Sequence, residues 1–365
     1  MATPKASQFV LKMKINFEKL AKKSVRAGAA YSSARSLVRE ASIFLDANEN
    51  AFGSVIPKIS GVDLSRYPDP LAEKLRVAFG KFSGVSANKI IVGNGSDEII
   101  WLLLLAFVEA NEEILTFIPT FSMYRVFGQL LGLKVAEVPL ESDYSLDVRK
   151  FLKKISAKTK LIFLCSPNNP TGQALPLETI EKVLKTGKLV VLDEAYIEFA
   201  PEKSATKLLV KYPNLIILRT FSKAWGLAGL RVGCGLMDPA AIAILQKVRA
   251  PYSVDRLSQE LAIRSLANFS KMKKTVKKIL TEKEKLAEKF WDLGLTVFPS
   301  DANFLLVRFP DGVKAKTIYE KLVKQFGLVV RDFSNKKLLE NCMRITVGTS
   351  AENVKLISAL KKTLK

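Results

Sequence analysis

Lys223 is the lysine of this sequence with the most chemical company. It lies in TFSKAWGLAGLRVG, which begins at Thr220, separated only by Arg219 from the apolar run LIIL that starts at Leu215. Small and apolar neighbours favour a neutral amine, which is a nucleophile towards carbonyls. Thr220, Ser222 and Arg231 add two hydroxyls and a guanidinium to the same stretch, a set that suits a phosphate. A second anion-binding feature is VGNGSDEII, where Gly95, Ser96 and Asp97 lead from an apolar run into an apolar helix. Unpaired N–H groups, a flexible glycine and the helix dipole make such a start attractive to phosphate. An ordinary capped helix would read the same way, and Glu98 stands where a dinucleotide fingerprint needs its third glycine. Asp193 follows LVVL in DEAY. A carboxylate at the end of a buried strand is costly unless it meets a cation. Asp193 is therefore either a satisfied cap or the partner of a protonated ring nitrogen or a metal. SPNNPTG is mainly turn chemistry, with Asn169 able to aim an amide into a cleft.

The 365 residues include no histidine. Ser-His-Asp triads, Cys-His dyads, imidazole relays and His-ligated zinc or haem are excluded within the chain. A ligand that used every cluster at once would offer a carbonyl to Lys223, a ring nitrogen to Asp193 and a phosphate to the remaining donors. Pyridoxal 5′-phosphate has all three, and as an electron sink it lets a histidine-free chain be a capable enzyme. Cys165, Cys234 and Cys342 are widely spaced and form no CxxC, which argues for a reducing, cytoplasmic setting without disulfides or zinc. The apolar run Ile99 to Val108 is about half the ~20 residues a membrane span needs and reads as a buried helix. Lys+Arg 57 against Asp+Glu 35 gives a formal charge of +22. The basic stretch from Lys271 carries Met272, Val276, Ile279 and Leu286 at helical spacing, a core-facing stripe with a solvated face. Neither a nucleic-acid nor a membrane partner is expected from it.

The elements that must position these residues alternate strand and helix. IIV, ILTF, LIFL, LVVL and LIIL each run into one of the polar clusters, with helical segments such as PLETIEKVLKTG between them. That texture predicts an α/β fold with a mostly parallel sheet between helices. Ligands in such sheets gather beyond the carboxyl ends of the strands, so five loops should converge on one cleft. After about Pro251 a long helix leads into TVFPSDANFLLVRF, GLVVRDF and MRITVGT, which reads as a smaller α+β domain. The expected organisation is a basic N-terminal arm over 1–42, a large cofactor-binding domain over 43–250 and a small domain over 251–365.

The series LDANENAFG, RYPDP, VGNGSDE, PTFSMYRV, SPNNPTG, VLDEAYIEF, RTFSKAWGLAGLRVG and MRITVGTSAEN, in that order, closely resembles the histidinol-phosphate aminotransferases. Those enzymes have the aspartate-aminotransferase (type I) fold. The resemblance implies that Lys223 links covalently to the cofactor and later moves the proton at the substrate's α-carbon. It implies that Asp193 keeps the pyridine nitrogen protonated and that Tyr196 and Asn169 hold the ring's 3′-oxygen. Phe121 would stack on the ring, while Gly95, Ser96, Asp97, Thr220, Ser222 and Arg231 would cradle the phosphate. Tyr67 of RYPDP would reach the phosphate of a neighbouring subunit, which implies a homodimer with shared sites. Arg344 would accept the carboxylate of glutamate or 2-oxoglutarate, and Arg331, Tyr31 and Asn48 would complete the substrate side for histidinol phosphate. The chain departs from the family pattern at Ala51, Trp225, Ser253 and Asp255, the last two in a loop expected to line the substrate side. An aromatic-amino-acid aminotransferase is the alternative within the class, with a threonine-phosphate decarboxylase behind it. A dead aminotransferase fold serving as a nucleic-acid regulator fits the charge but not the intact set Lys223, Asp193 and Arg231.

Overall fold

A computed structural model describes residues 43–45, 48, 52 and 67–364. The expected residue Tyr31 and the arm over 1–42 lie outside them. The strands are β1 (Ile43–Phe44), β2 (Ile90–Asn94), β3 (Glu113–Ile118), β4 (Lys134–Pro139), β5 (Thr159–Cys165), β6 (Leu189–Asp193), β7 (Leu215–Thr220), β8 (Val232–Leu236), β9 (Thr296–Val297), β10 (Phe304–Arg308), β11 (Leu328–Val329), β12 (Arg331–Asp332) and β13 (Cys342–Thr346). The helices are α1 (Glu73–Ser83), α2 (Gly95–Phe107), α3 (Met123–Leu130), α4 (Val148–Lys153), α5 (Leu177–Leu184), α6 (Pro239–Val248), α7 (Arg256–Ala267), α8 (Phe269–Asp292), α9 (Ala315–Phe326) and α10 (Ser350–Thr363).

A seven-stranded sheet in the order β2-β8-β7-β6-β5-β3-β4 forms the centre. β8 alone runs antiparallel to its neighbours, so β2, β3, β5, β6 and β7 end on the same side. The sequence explains why these segments are central. LVVL and LIIL carry no alternation because both faces of a parallel sheet are covered, and Val190 to Leu192 and Leu215 to Leu218 are all fully buried. The run after Gly95 forms α2, with Ile99, Ile100, Leu102, Leu103 and Leu104 buried beneath it.

A second sheet, β12-β13-β10-β9, is antiparallel and belongs to a separate apolar cluster with α9 and α10. β1 pairs in parallel with β11, and Leu45 packs into this second cluster. The expected stripe on α8 is buried, and the 24-residue helix serves both cores. Met272, Val276 and Ile279 pack into the large core, whereas Leu286 and Phe290 pack into the small one. One rigid helix thus fixes the small sheet, and the arginines on β12 and β13, against the strand ends of the large sheet. Cys165, Cys234 and Cys342 are unpaired and buried. Among the described residues no helix is long and apolar enough to cross a membrane.

Candidate active site

The ends of β2, β5, β6 and β7 and the loop after β3 meet at a cavity of about 360 Å³, closed on one side by β12 and β13. Ser96, Asp97, Phe121, Asn169, Asp193, Tyr196, Thr220, Ser222, Lys223 and Arg231 line it, together with Asn48, Arg331 and Arg344.

Asp193 ends the central strand β6, where its neighbours exclude water from the carboxylate. Oδ1 accepts the Ala195 N–H at 3.1 Å and Oδ2 accepts the Tyr124 O–H at 2.7 Å. Burial pushes the carboxyl up to about 6, against the pull of those two hydrogen bonds and of Lys223. Lys223 sits in the turn after β7 with Nζ 5.6 Å from the centre of the Tyr196 ring. The Tyr196 phenol is buried and accepts from Asn48 Nδ2 at 3.1 Å. Burial raises it to about 12, although Arg344 and Asn48 favour its ionised form.

The phosphate-binding side is built from close backbone packing. Gly95 opens α2 at φ +73°, its N–H bonded to the Arg231 carbonyl at 2.8 Å. Gly95 does not itself line the cavity; a Cβ there would stand 2.5 Å from Arg231 Nη2. Arg231 is held in the left-handed region at φ 54°, ψ 51°, a conformation that costs a non-glycine residue roughly 1–2 kcal/mol. Its guanidinium reaches Asp97 Oδ2 and Ser222 Oγ, each at 3.4 Å, across the mouth of the helix. Gly233 lets β8 approach the same helix end: a Cβ there would meet Ser96 N at 2.3 Å.

On the opposite wall Arg331 and Arg344 are register partners on β12 and β13. Arg344 Nη1 donates to Asn169 Oδ1. This orientation turns the amide nitrogen of Asn169 away from the arginine. The Arg344 guanidinium lies 5.3 Å from the centre of Phe304 and 5.9 Å from that of Phe333, and Arg331 lies 5.6 Å from Phe333. Asn48, at φ 55°, is tied to the floor by Thr346, whose hydroxyl donates to Oδ1 at 2.8 Å and accepts the Asn48 N–H at 3.0 Å.

Tyr67 does not line this cavity; it is 77% exposed and stacks on Tyr252 at 4.6 Å. The loop expected to line the substrate side contributes neither of its departing residues. Asp255 caps α7 by accepting the Ser258 N–H at 2.8 Å, and Ser253 Oγ accepts from Arg249. Trp225 is fully buried between Phe82 and Phe221. Sequence reasoning missed Tyr124, Thr120, Ser122, Cys165 and Phe333. Phe333 had a signal, since residues i and i+2 of a strand share a face and Arg331 was in view.

The donor set fits pyridoxal 5′-phosphate. A buried carboxylate held by two neutral donors suits a pyridinium N–H, and the helix end with Ser222 and Arg231 suits a dianion. Lys223 and Phe121 border the space between them.

The sequence profile of the aminotransferase class I and II family matches residues 43–360. The chain belongs to this family and is a pyridoxal-phosphate-dependent aminotransferase. It is similar to the histidinol-phosphate aminotransferase of Cytophaga hutchinsonii, with 41% identity over 96% of this chain and 99% of that protein. The enzyme of the same description from Bacteroides fragilis is 43% identical over 91% of this chain and 94% of its own length. A crystal structure of histidinol-phosphate aminotransferase from Sinorhizobium meliloti in complex with pyridoxal-5′-phosphate superposes with a TM-score of 0.85. The two are 28% identical, and the match covers 94% of this chain and 97% of that one.

Proposed function

We propose that the protein interconverts histidinol phosphate plus 2-oxoglutarate and imidazole-acetol phosphate plus glutamate, a step of histidine biosynthesis, in the cytoplasm. The observation that carries this reading is the cross-strand pair Arg331 and Arg344 on the cavity wall. Two guanidiniums brought together suit a phosphate dianion, and either alone suffices for a carboxylate. The same wall can therefore serve both half-reactions.

When bound, pyridoxal 5′-phosphate supplies the electron sink that lets an amino group and a carbonyl oxygen change places. Asp193 would hold its ring nitrogen, Tyr196 and Asn169 its phenolic oxygen, and Ser96, Asp97, Thr220, Ser222 and Arg231 its phosphate, with Gly95 leaving room for the Arg231 guanidinium. Lys223 Nζ would anchor the cofactor and then move the proton at the substrate's α-carbon, an amine acting as general base beside the acidic C–H. Tyr67 would serve the neighbouring subunit of a homodimer. Its exposure and its fixed loop support that role: Arg256 Nη2 donates to the Tyr67 carbonyl at 2.7 Å.

Half-reaction spectra test the proposal. Histidinol phosphate should bleach the cofactor band faster than phenylalanine. In Arg331→Ala the response to histidinol phosphate should fall at least tenfold more than the response to glutamate. Equal losses for the two substrates, or preference for phenylalanine, would refute the assignment.

A further inference from the structure

Tyr124 is a side chain at the site to which no role has been given. It lies in the first turn of α3, is fully buried, stacks on Phe163 at 4.7 Å with the planes 14° apart, and meets Phe121 edge-on at 5.5 Å. Packing alone would be served by phenylalanine. The hydroxyl instead donates to Asp193 Oδ2 at 2.7 Å, while Oδ1 receives the Ala195 N–H. Two neutral donors from different elements thus fix the plane of the carboxylate and leave its remaining lone pairs to the cavity. We propose that Tyr124 is the positioning residue for the cofactor-ring carboxylate: its hydroxyl holds the Asp193 carboxylate aimed at the ring nitrogen.

The surroundings explain why such a donor is needed. Asp193 is faced by Tyr124 from α3, Cys165 from β5, Asp97 from α2, Tyr196 from the turn after β6 and Lys223 from the turn after β7. Burial and Asp97 disfavour its charge; Tyr124, Ala195 and Lys223 favour it. Burial, Asp193 and Cys165 all oppose ionisation of Tyr124, so its phenol keeps its proton and remains a donor. Because the same ring abuts Phe121, one side chain locates both the aromatic plate and the carboxylate.

The inference rests on the cofactor assignment and not on the proposed substrate, so its test needs only pyridoxal 5′-phosphate. The dissociation constant for pyridoxal 5′-phosphate, titrated into cofactor-free protein between pH 5 and 8.5, should weaken on the acid side as Asp193 takes up a proton. Tyr124→Phe keeps the ring and loses only the hydroxyl. It should weaken binding about tenfold at pH 7 and move the acid limb to higher pH. Replacing Tyr124 with 3-fluorotyrosine, a stronger donor, should move the limb to lower pH. A Tyr124→Phe protein with affinity within twofold of the parent and an unmoved limb would overturn the proposal. Should that variant not fold by circular dichroism, an unmoved limb in the fluorotyrosine protein overturns it instead. A parent protein that binds no pyridoxal 5′-phosphate would overturn the cofactor assignment, and this proposal with it, an outcome distinct from either of the others.

Discussion

Replacing Asp193 with asparagine should stabilise the cofactor-free protein at neutral pH. Burial raises this carboxyl from its ordinary 3.8 to about 6, even though Tyr124 and Ala195 both bond to it. A group with a raised pKa in the folded state contributes stability that is complete below the unfolded value. That contribution is lost as pH rises through the folded one. At about 1.4 kcal/mol per pKa unit, the whole effect amounts to about 3 kcal/mol. Asparagine has the same shape and never ionises, and its amide can accept from Ala195 while donating to the Tyr124 oxygen. The advantage of the variant should be about 1 kcal/mol at pH 4.5 and about 3 kcal/mol at pH 7.5. Urea unfolding followed by circular dichroism at those two pH values, on cofactor-free protein, measures both. A variant less stable than the parent at pH 7.5, or one with the same margin at both pH values, would refute the reasoning. Saturating pyridoxal 5′-phosphate should reverse the order, because a ligand that binds the folded parent more tightly stabilises it by mass action.

Arg219→Met should cost about 3–5 kcal/mol, since it strands two buried carboxylates. Arg219 Nη2 lies 2.7 Å from Glu194 Oε2 and Nη1 lies 3.3 Å from Glu198 Oε1, with Ser204 and Thr206 completing the cluster. The loss should shrink at pH 5, where the stranded carboxyls take up protons; chemical denaturation at pH 5 and 7.5 tests this, and a pH-independent loss contradicts it. Gly233→Ala should weaken pyridoxal 5′-phosphate binding more than tenfold, because the new methyl must push Ser96 N away from 2.3 Å. An absorbance titration showing unchanged affinity would mean that the helix end does not bear the phosphate.

How much of this was legible depended on whether the signal was local. The strand ends were, because a buried parallel strand writes itself as an unbroken apolar run and its loop begins where the polar residues do. Asp193, Lys223 and Asn169 were found in that way. Tyr124 was not, since a buried aromatic in PTFSMYRV reads as core, and its partner is 69 residues away. The opposition of Arg331 and Arg344 is likewise a fact of strand register, which GLVVRDF and MRITVGT do not carry separately. Ser253 and Asp255 were placed on the substrate side by likeness of sequence, whereas local hydrogen bonds explain both. An aspartate caps a helix as well as an asparagine does, so the departure at Asp255 is compatible with the helix it starts.

The lining of the cavity also gives part of the net charge a task. Among the described residues, Lys223, Arg231, Arg331 and Arg344 face it against Asp97 and Asp193, four cations to two carboxylates. Arg331 and Arg344 lie in register on neighbouring strands, and neutral groups help to place both. Phe304 and Phe333 offer their faces to Arg344, Phe333 also to Arg331, and Asn169 accepts from Arg344. An anion would then meet guanidiniums already ordered, with little side-chain entropy left to lose. Under the proposed function the two half-reactions would differ in how many of these donors they engage, a phosphate dianion more than a carboxylate. Phe333→Ala should therefore weaken the phosphorylated substrate more than glutamate, and half-reaction titrations with equal losses for both would show that the aromatic face does not organise the pair.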